Sequence, residues 1–92
     1  MVGARVLVSG RVQGVFFRFM MSREAEKEGI GGWVRNRLDG KVEALLEGKE
    51  ESVKRLISWC HQGPPGAVVH NVEVEWLPHQ GTFNSFSIRG WE

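Results

Sequence analysis

The stretch from Ala4 to Gly29 reads ARVLVSGRVQGVFFRFMMSREAEKEG, and a change of hydrophobic period within it decides the fold. Apolar and polar residues alternate up to Val12, which predicts a first strand. After Gly14 the apolar positions fall four residues apart among strong helix formers, which predicts a helix that ends at Gly29. These positions are Ala4, Val6 and Val8 in the strand and Phe17, Met21 and Ala25 in the helix. The chain therefore begins as strand, glycine-containing turn and helix.

Two short β-prone runs follow, from Gly32 to Arg37 and from Lys41 to Glu47. The Asp39-Gly40 pair between them suits the positive φ angles of a tight turn, so strands two and three are predicted to form a hairpin. In the third strand Glu43 lies on the other face from the apolar residues, which predicts a sheet with one covered face and one more solvent-exposed face.

The second half of the chain predicts a helix and two strands. Apolar residues at helical spacing between Glu50 and Gln62 predict an amphipathic helix, which Gly63 and the following prolines end. The apolar positions of this helix are Val53, Leu56, Ile57 and Cys60. Alternation from Val72 to Trp76 predicts a fourth strand, and weaker alternation from Phe83 to Trp91 predicts a short terminal strand.

This order of elements predicts an α+β fold in which a split βαβ sandwich carries two helices on one face of an antiparallel sheet. We expect four to five strands in that sheet. The chain has 92 residues and 41% hydrophobic content, which suffices for one core. A single domain over residues 1–92 is therefore predicted.

Composition narrows the class of protein. Twelve basic and eleven acidic side chains give a net charge of +1 without a concentrated basic face, which argues against nucleic-acid binding. Cys60 is the single cysteine, so no intrachain disulfide is possible and a reducing compartment is indicated. No 18 apolar residues run together, and Met1 to Gly10 has no basic segment followed by a long apolar one, so we expect neither a membrane span nor a secretory leader. We expect a soluble cytoplasmic protein without membrane contact.

The turn from Gly10 to Arg18, GRVQGVFFR, is a candidate anion-binding loop. Its backbone N–H groups and those of the helix N-terminus can converge on an anion, and the helix dipole adds partial positive charge. Arg18 in the first helical turn is slightly disfavoured by that dipole, whereas its guanidinium grips phosphate well. An ordinary βα turn with an exposed arginine remains the alternative interpretation at this point.

Asn36, at the end of the second predicted strand, is a candidate for positioning a nucleophile. Its amide can accept a hydrogen bond from water and donate one to an anionic oxygen. Asparagine is also favoured beside a hairpin turn, so without other information turn chemistry is the ordinary explanation for Asn36.

Other reactive side chains fit structural roles better. The three histidines are nine residues apart and have no ligand partners at metal-binding spacing, so we expect no metal site and no cofactor. Cys60 lies on the apolar side of its helix, which is typical of a buried and inert thiol. The four tryptophans fit core and rim packing better than base stacking. The histidines are His61, His70 and His79, and the tryptophans are Trp33, Trp59, Trp76 and Trp91.

Two segments resemble the signatures of the acylphosphatase family. Gly10 to Arg18 is similar to its G-x-V-Q-G-V-x-F-R motif, and Gly32 to Glu43 is similar to its G-W-V-x-N-x-x-D-G-x-V-E motif. The segments Gly63 to Val69 and Phe86 to Ile88 add to this resemblance, which covers almost the whole chain. One departure is Phe16, at a position where many members have glycine.

The resemblance implies a ferredoxin-like fold and the hydrolysis of small acyl phosphates to a carboxylate and inorganic phosphate, without a metal or a covalent intermediate. It implies that Arg18 and Asn36 are catalytic and that Asn36 orients the attacking water. The implied phosphate-binding residues are Gln13, Gly14, Val15, Phe16, Phe17 and Arg18. We expect a monomer. The alternative function is a ferredoxin-like module that binds an anion or RNA without turnover.

Overall fold

The computed structural model describes residues 1–91 and contains a five-stranded sheet with two helices. The elements are β1 (Val2–Arg11), α1 (Phe17–Glu28), β2 (Gly31–Asn36), β3 (Val42–Gly48), α2 (Glu50–Cys60), β4 (Val68–Leu77) and β5 (Phe86–Trp91). Glu92, the last residue of the predicted domain, lies outside the described residues, as does the side chain of Trp91. The predicted α+β order with a short terminal strand is confirmed.

The strands lie in the order β4-β1-β3-β2-β5. The four strands predicted with most regular alternation pair antiparallel, as expected. The fifth strand instead runs parallel to β2, so the sheet is mixed and the antiparallel prediction is wrong for this edge. The reason lies in the connection: the chain crosses from the β4 edge to the opposite edge at the end of the sheet where β2 begins. Glu47 fixes this crossing loop, because its carboxylate accepts hydrogen bonds from the N–H groups of Gln80 (2.9 Å) and Thr82 (3.2 Å).

Both helices pack on one face of the sheet and form the core with it. Helix α1 contacts β2, β5 and α2, while α2 contacts β1 and β3. All helix positions that the periodicity predicted to be apolar and inward-facing are buried. Alternate residues of the central strands meet them from below, and Ala4, Val6, Val8, Val34, Val42, Ala44 and Leu46 are buried there. Trp59 packs against this core and meets Phe17 edge to face, with 5.2 Å between ring centroids.

The face of the sheet away from the helices is less exposed to solvent than the sequence pattern predicted. Glu43 is buried and forms ion pairs with Arg5 (2.5 Å), Arg35 (2.6 Å) and Arg37 (3.5 Å). Burial acts to raise the pKa of Glu43, but the hydrogen bond from Arg35 and the charges of Arg5 and Arg35 outweigh it. The pKa of this carboxyl therefore lies below its ordinary value of 4.5. Glu43 thus contributes to stability as a carboxylate.

Candidate active site

A cleft of about 290 Å³ lies where the loop after β1 meets α1, the end of β2 and β5. Its lining residues are Val12, Gly14, Phe16, Phe17, Arg18, Phe19, Asn36 and Ile88. Five of the residues predicted to form the site therefore meet here. Arg18 and Asn36, which come from different elements and different signatures, line the same cleft.

The loop has a backbone shape that most residues avoid. Gly14 has a φ of 76°, and Phe16 adopts the left-handed conformation with φ 65° and ψ 23° immediately before α1. Among residues 1–91, Phe16 is the only residue other than glycine with a positive φ. Backbone strain of this kind often accompanies a functional site. The departure from the family's glycine thus coincides with the position where glycine would fit best.

The N-terminus of α1 is left without the groups that usually cap a helix. No side chain caps it, and its first turn contains no acidic residue. Helix α2 differs in having Glu50 and Glu51 in its first turn. The first N–H groups of a helix have no intrahelical acceptor and carry the positive end of the macrodipole. The cleft therefore receives unsatisfied donors and positive potential from α1.

Arg18 adds a full positive charge beside these donors. Its Nη1 donates a hydrogen bond of 2.8 Å to the main-chain carbonyl oxygen of Arg89 in β5. No carboxylate of residues 1–91 forms a salt bridge with it. The carbonyl orients the guanidinium without neutralising it, so its charge and remaining donors are available to an anion.

Asn36 is the last residue of β2 and points to the same side of the sheet as Val34, beneath α1. It is only 3% exposed, yet it lines the cleft. Among the described residues, no hydrogen bond to its side-chain amide is found, yet no fully buried polar side-chain atom lacks a partner, so the Asn36 amide must keep some accessible surface. Its amide is thus reachable from the cleft, where it can bind a water molecule.

Gln13 and Val15, both predicted phosphate-binding residues, do not line the cleft. Gln13 Nε2 instead donates to the carbonyl oxygens of Arg37 (2.7 Å) and Lys41 (3.0 Å), on the two arms of the β2–β3 hairpin. The side chain of Val15 packs against the core. The side chain of Gln13 therefore ties the loop to the hairpin that follows Asn36, a contact that neither pattern nor spacing indicated.

Three lining residues were absent from the predicted site, namely Val12, Phe19 and Ile88. Val12 belongs to the first signature but not to the predicted phosphate-binding set from Gln13 to Arg18, and Phe19 directly follows that set. Ile88 reaches the cleft because β5 pairs with β2, where it lies opposite Val34. Nothing in its local sequence marks it.

The remaining reactive groups lie apart from this cleft. Burial raises the pKa of the Cys60 thiol to about 12, and its sulfur lies 4.0 Å from that of Met21. Residues 1–91 contain no cluster of three His, Cys, Asp or Glu side chains arranged to hold a metal ion. None of the helices in this range has the length and apolar character needed to cross a membrane.

Comparison with known proteins gives consistent matches over most of the chain. The acylphosphatase family model matches residues 4–88. The acylphosphatase of Thermococcus kodakarensis is 58% identical over 80 residues, which cover 87% of this chain and 88% of that protein. The acylphosphatase of Pelotomaculum thermopropionicum is 52% identical over 85 residues, or 92% of either chain. The crystal structure of acylphosphatase from Bacillus subtilis gives a TM-score of 0.93 at 38% identity, over 97% of this chain and 99% of that one.

These matches and the sheet topology define a hydrolase with a ferredoxin-like fold. The chain belongs to the acylphosphatase family, the hydrolases of acyl phosphates. The resemblance in its two signatures is thereby confirmed, and an enzyme is favoured over a binding module without turnover.

Proposed function

We propose that this chain hydrolyses acyl phosphates by in-line attack of a water molecule that Asn36 orients, while the loop from Gln13 to Arg18 holds the phosphate. The observation that carries the proposal is the meeting of Arg18 and Asn36 in one cleft at the N-terminus of α1. The backbone N–H groups of the loop and the guanidinium of Arg18 bind the phosphoryl oxygens. Asn36 holds the water against the phosphorus atom.

The chemistry of the substrate matches such a sparse site. An acyl phosphate is a mixed anhydride, and the carboxylate that leaves needs little help from a general acid. Phosphoryl transfer depends mainly on positioning and on stabilising charge at the phosphoryl oxygens. Fixed amide dipoles and one guanidinium supply that charge stabilisation without reorganising during the reaction.

The contact made by Gln13 supports the required positioning. Its side-chain amide joins the phosphate-holding loop to the hairpin that begins directly after Asn36. The group that binds the phosphate and the group that orients the water are thus held in one frame. Small errors in such alignment reduce rates strongly, so this contact favours turnover as well as binding.

The test is phosphate release from benzoyl phosphate in the presence of a chelator, with wild-type protein, Asn36→Ala and the control Asn71→Ala. Asn71 is an exposed residue of β4 outside the cleft. We expect kcat to fall about 100-fold or more in Asn36→Ala, since its water loses alignment, while inhibition by inorganic phosphate is retained. Asn71→Ala should behave as wild type. Unchanged turnover in Asn36→Ala would contradict the mechanism.

Three further expectations belong to this proposal. The substrate is a small acyl phosphate, the protein acts as a monomer in the cytoplasm, and residues 1–92 form one domain. Sedimentation of the purified chain at assay concentration tests the second of these, since a dimer would contradict it.

A further inference from the structure

Exposed apolar side chains gather beside the phosphate-binding end of the cleft. Phe16 is 78% exposed, Phe19 50% and Ile88 46%, and all three line it. Among the described residues, the other large apolar side chains with such exposure lie elsewhere on the surface: Met1, Leu38, Val68 and Trp76. Exposed apolar area is costly to maintain, and a concentration of it at one site marks a binding surface.

The proposed mechanism gives this surface a specific position relative to the substrate. In-line attack places the water and the leaving carboxylate on opposite sides of the phosphorus atom. Asn36 is 3% exposed, so the water side of the phosphate is the buried side. The acyl group must then lie on the outward side of the phosphorus atom, where Phe16, Phe19 and Ile88 are exposed.

We infer that Phe16, Phe19 and Ile88 form an acyl-binding subsite that selects substrates with an apolar acyl group, aromatic or branched aliphatic; this inference rests on the proposed function. The occupant is the acyl group itself, because the subsite is continuous with the phosphate-binding part of the same cleft. Two of the three side chains are aromatic rings, which offer a large apolar area to a ring or alkyl chain. The polar groups serve the phosphate, and these side chains serve the acyl half of the substrate.

One charged side chain lies near this subsite. The guanidinium carbon of Arg23 lies 5.8 Å from the centre of the Phe19 ring. This stacking holds the ring by a cation–π contact. The same charge offers an acidic acyl group a competing attraction, so an acidic substrate is included in the test below.

The experiment compares kcat/KM for benzoyl, acetyl and succinyl phosphate in wild-type protein and in the double variant Phe19→Gln/Ile88→Thr. We expect wild-type protein to prefer benzoyl over acetyl phosphate, and the variant to lose about tenfold of that preference while still hydrolysing acetyl phosphate. A tenfold change is the size expected when an apolar pocket discriminates between substrates that differ by a small apolar group. The control is Leu38→Gln, which removes an even more exposed apolar side chain outside the cleft and should leave the preference unchanged.

Inhibition of wild-type protein by benzylphosphonate and methylphosphonate gives a second measurement that needs no variant. Benzylphosphonate should inhibit about tenfold more strongly, on the same scale of apolar discrimination. Equal inhibition, an unchanged benzoyl-to-acetyl ratio in the double variant, or a preference for succinyl phosphate would overturn the subsite while leaving the hydrolytic mechanism intact. Failure of wild-type protein to hydrolyse any of the three substrates would overturn the proposed function and this inference with it.

Discussion

The two faces of the sheet use arginine in opposite ways. On the face away from the helices, Arg5, Arg35 and Arg37 surround the buried carboxylate of Glu43. On the helix side, Arg18 donates to a main-chain carbonyl and forms no salt bridge with any carboxylate of residues 1–91. The first set of arginines is paired with carboxylate inside the fold, whereas the charge of Arg18 remains available.

This difference separates stability from activity. Removing one partner of a buried ion pair strongly destabilises the folded protein, because the remaining buried charge is left without compensation. An arginine at the positive end of a helix is slightly unfavourable by itself and becomes favourable when an anion binds there. We therefore expect substitutions around Glu43 to lower stability and substitutions at Arg18 to lower activity.

The largest effect is expected for Arg18→Ala. Loss of the guanidinium removes the only side-chain charge that lines the cleft in the described structure. We expect kcat/KM for benzoyl phosphate to fall about 1,000-fold, in line with the loss of a strong donor to developing charge. The free energy of unfolding should fall by no more than about 1 kcal/mol, since one exposed hydrogen bond to Arg89 is lost and no ion pair is broken. Steady-state kinetics and urea denaturation measure the two quantities.

The control for this variant is Lys49→Ala, which removes an exposed positive charge directly before α2 and outside the cleft. It should retain wild-type kinetics. If Arg18→Ala lost stability but kept its activity, the two faces of the sheet would not differ in the way that their contacts indicate.

A smaller effect, on stability alone, is expected for Glu43→Gln. The amide keeps the shape of the side chain but removes the buried negative charge that Arg5, Arg35 and Arg37 share, which should cost about 3 kcal/mol in urea denaturation at pH 7. The control is Glu73→Gln, an exposed carboxylate on the same face of the sheet, which should change stability by less than about 0.5 kcal/mol. Turnover of benzoyl phosphate by folded Glu43→Gln should persist.

The pH dependence of this difference has a defined sign. The folded-state pKa of Glu43 is lowered from 4.5, so its stabilisation is present above that value and is lost as the pH falls through the folded-state pKa. The gap in stability between wild-type protein and Glu43→Gln should therefore be full at pH 7 and narrow at acid pH. A gap that stays constant down to pH 2 would show that the carboxylate charge is not its source.

The fold could be predicted because each main element has its own hydrophobic period. Met21 and Leu56 are buried where helical spacing placed them. Of the Asp39-Gly40 pair expected to have positive φ angles, Gly40 has one (91°) and Asp39 does not. The parallel direction of β5 could not be predicted, because it depends on the loop that Glu47 holds at the end of the sheet. Likewise, alternation predicted that Glu43 lies on a solvent-exposed face. Its burial could not be predicted, because its arginine partners lie on β1, on β2 and in the segment after β2.

The candidate site was predicted in part for the same reason. Arg18 and Asn36 belong to local signatures, so a resemblance in sequence was enough to select them. Ile88 joins the cleft only through pairing between β5 and β2, and Gln13 reaches the hairpin through a long-range contact. Neither of these long-range contacts produces a pattern in the local sequence. Phe16 is intermediate, because its departure from glycine was visible while its backbone angles were not.

The smallest effect is expected at Phe16, whose left-handed backbone conformation costs free energy in the loop that lines the cleft. A left-handed conformation costs a residue other than glycine about 1 kcal/mol or more, whereas glycine adopts it freely but loses more entropy on folding. We expect Phe16→Gly to be more stable than Phe16→Ala by up to about 1 kcal/mol in urea denaturation. Alanine is the correct reference because it removes the exposed ring and keeps the strain.

The matched control is His61, an exposed residue after α2 with ordinary right-handed angles of φ −66° and ψ −24°. There the same pair of substitutions should have the opposite sign, with His61→Gly less stable than His61→Ala by about 0.5 kcal/mol, since glycine brings only its entropic cost. Opposite signs would place conformational strain in the phosphate-holding loop, where function can account for it. If glycine were the less stable residue at both positions, Phe16 would not be strained, and the cleft side would carry no cost beyond the uncompensated charge of Arg18.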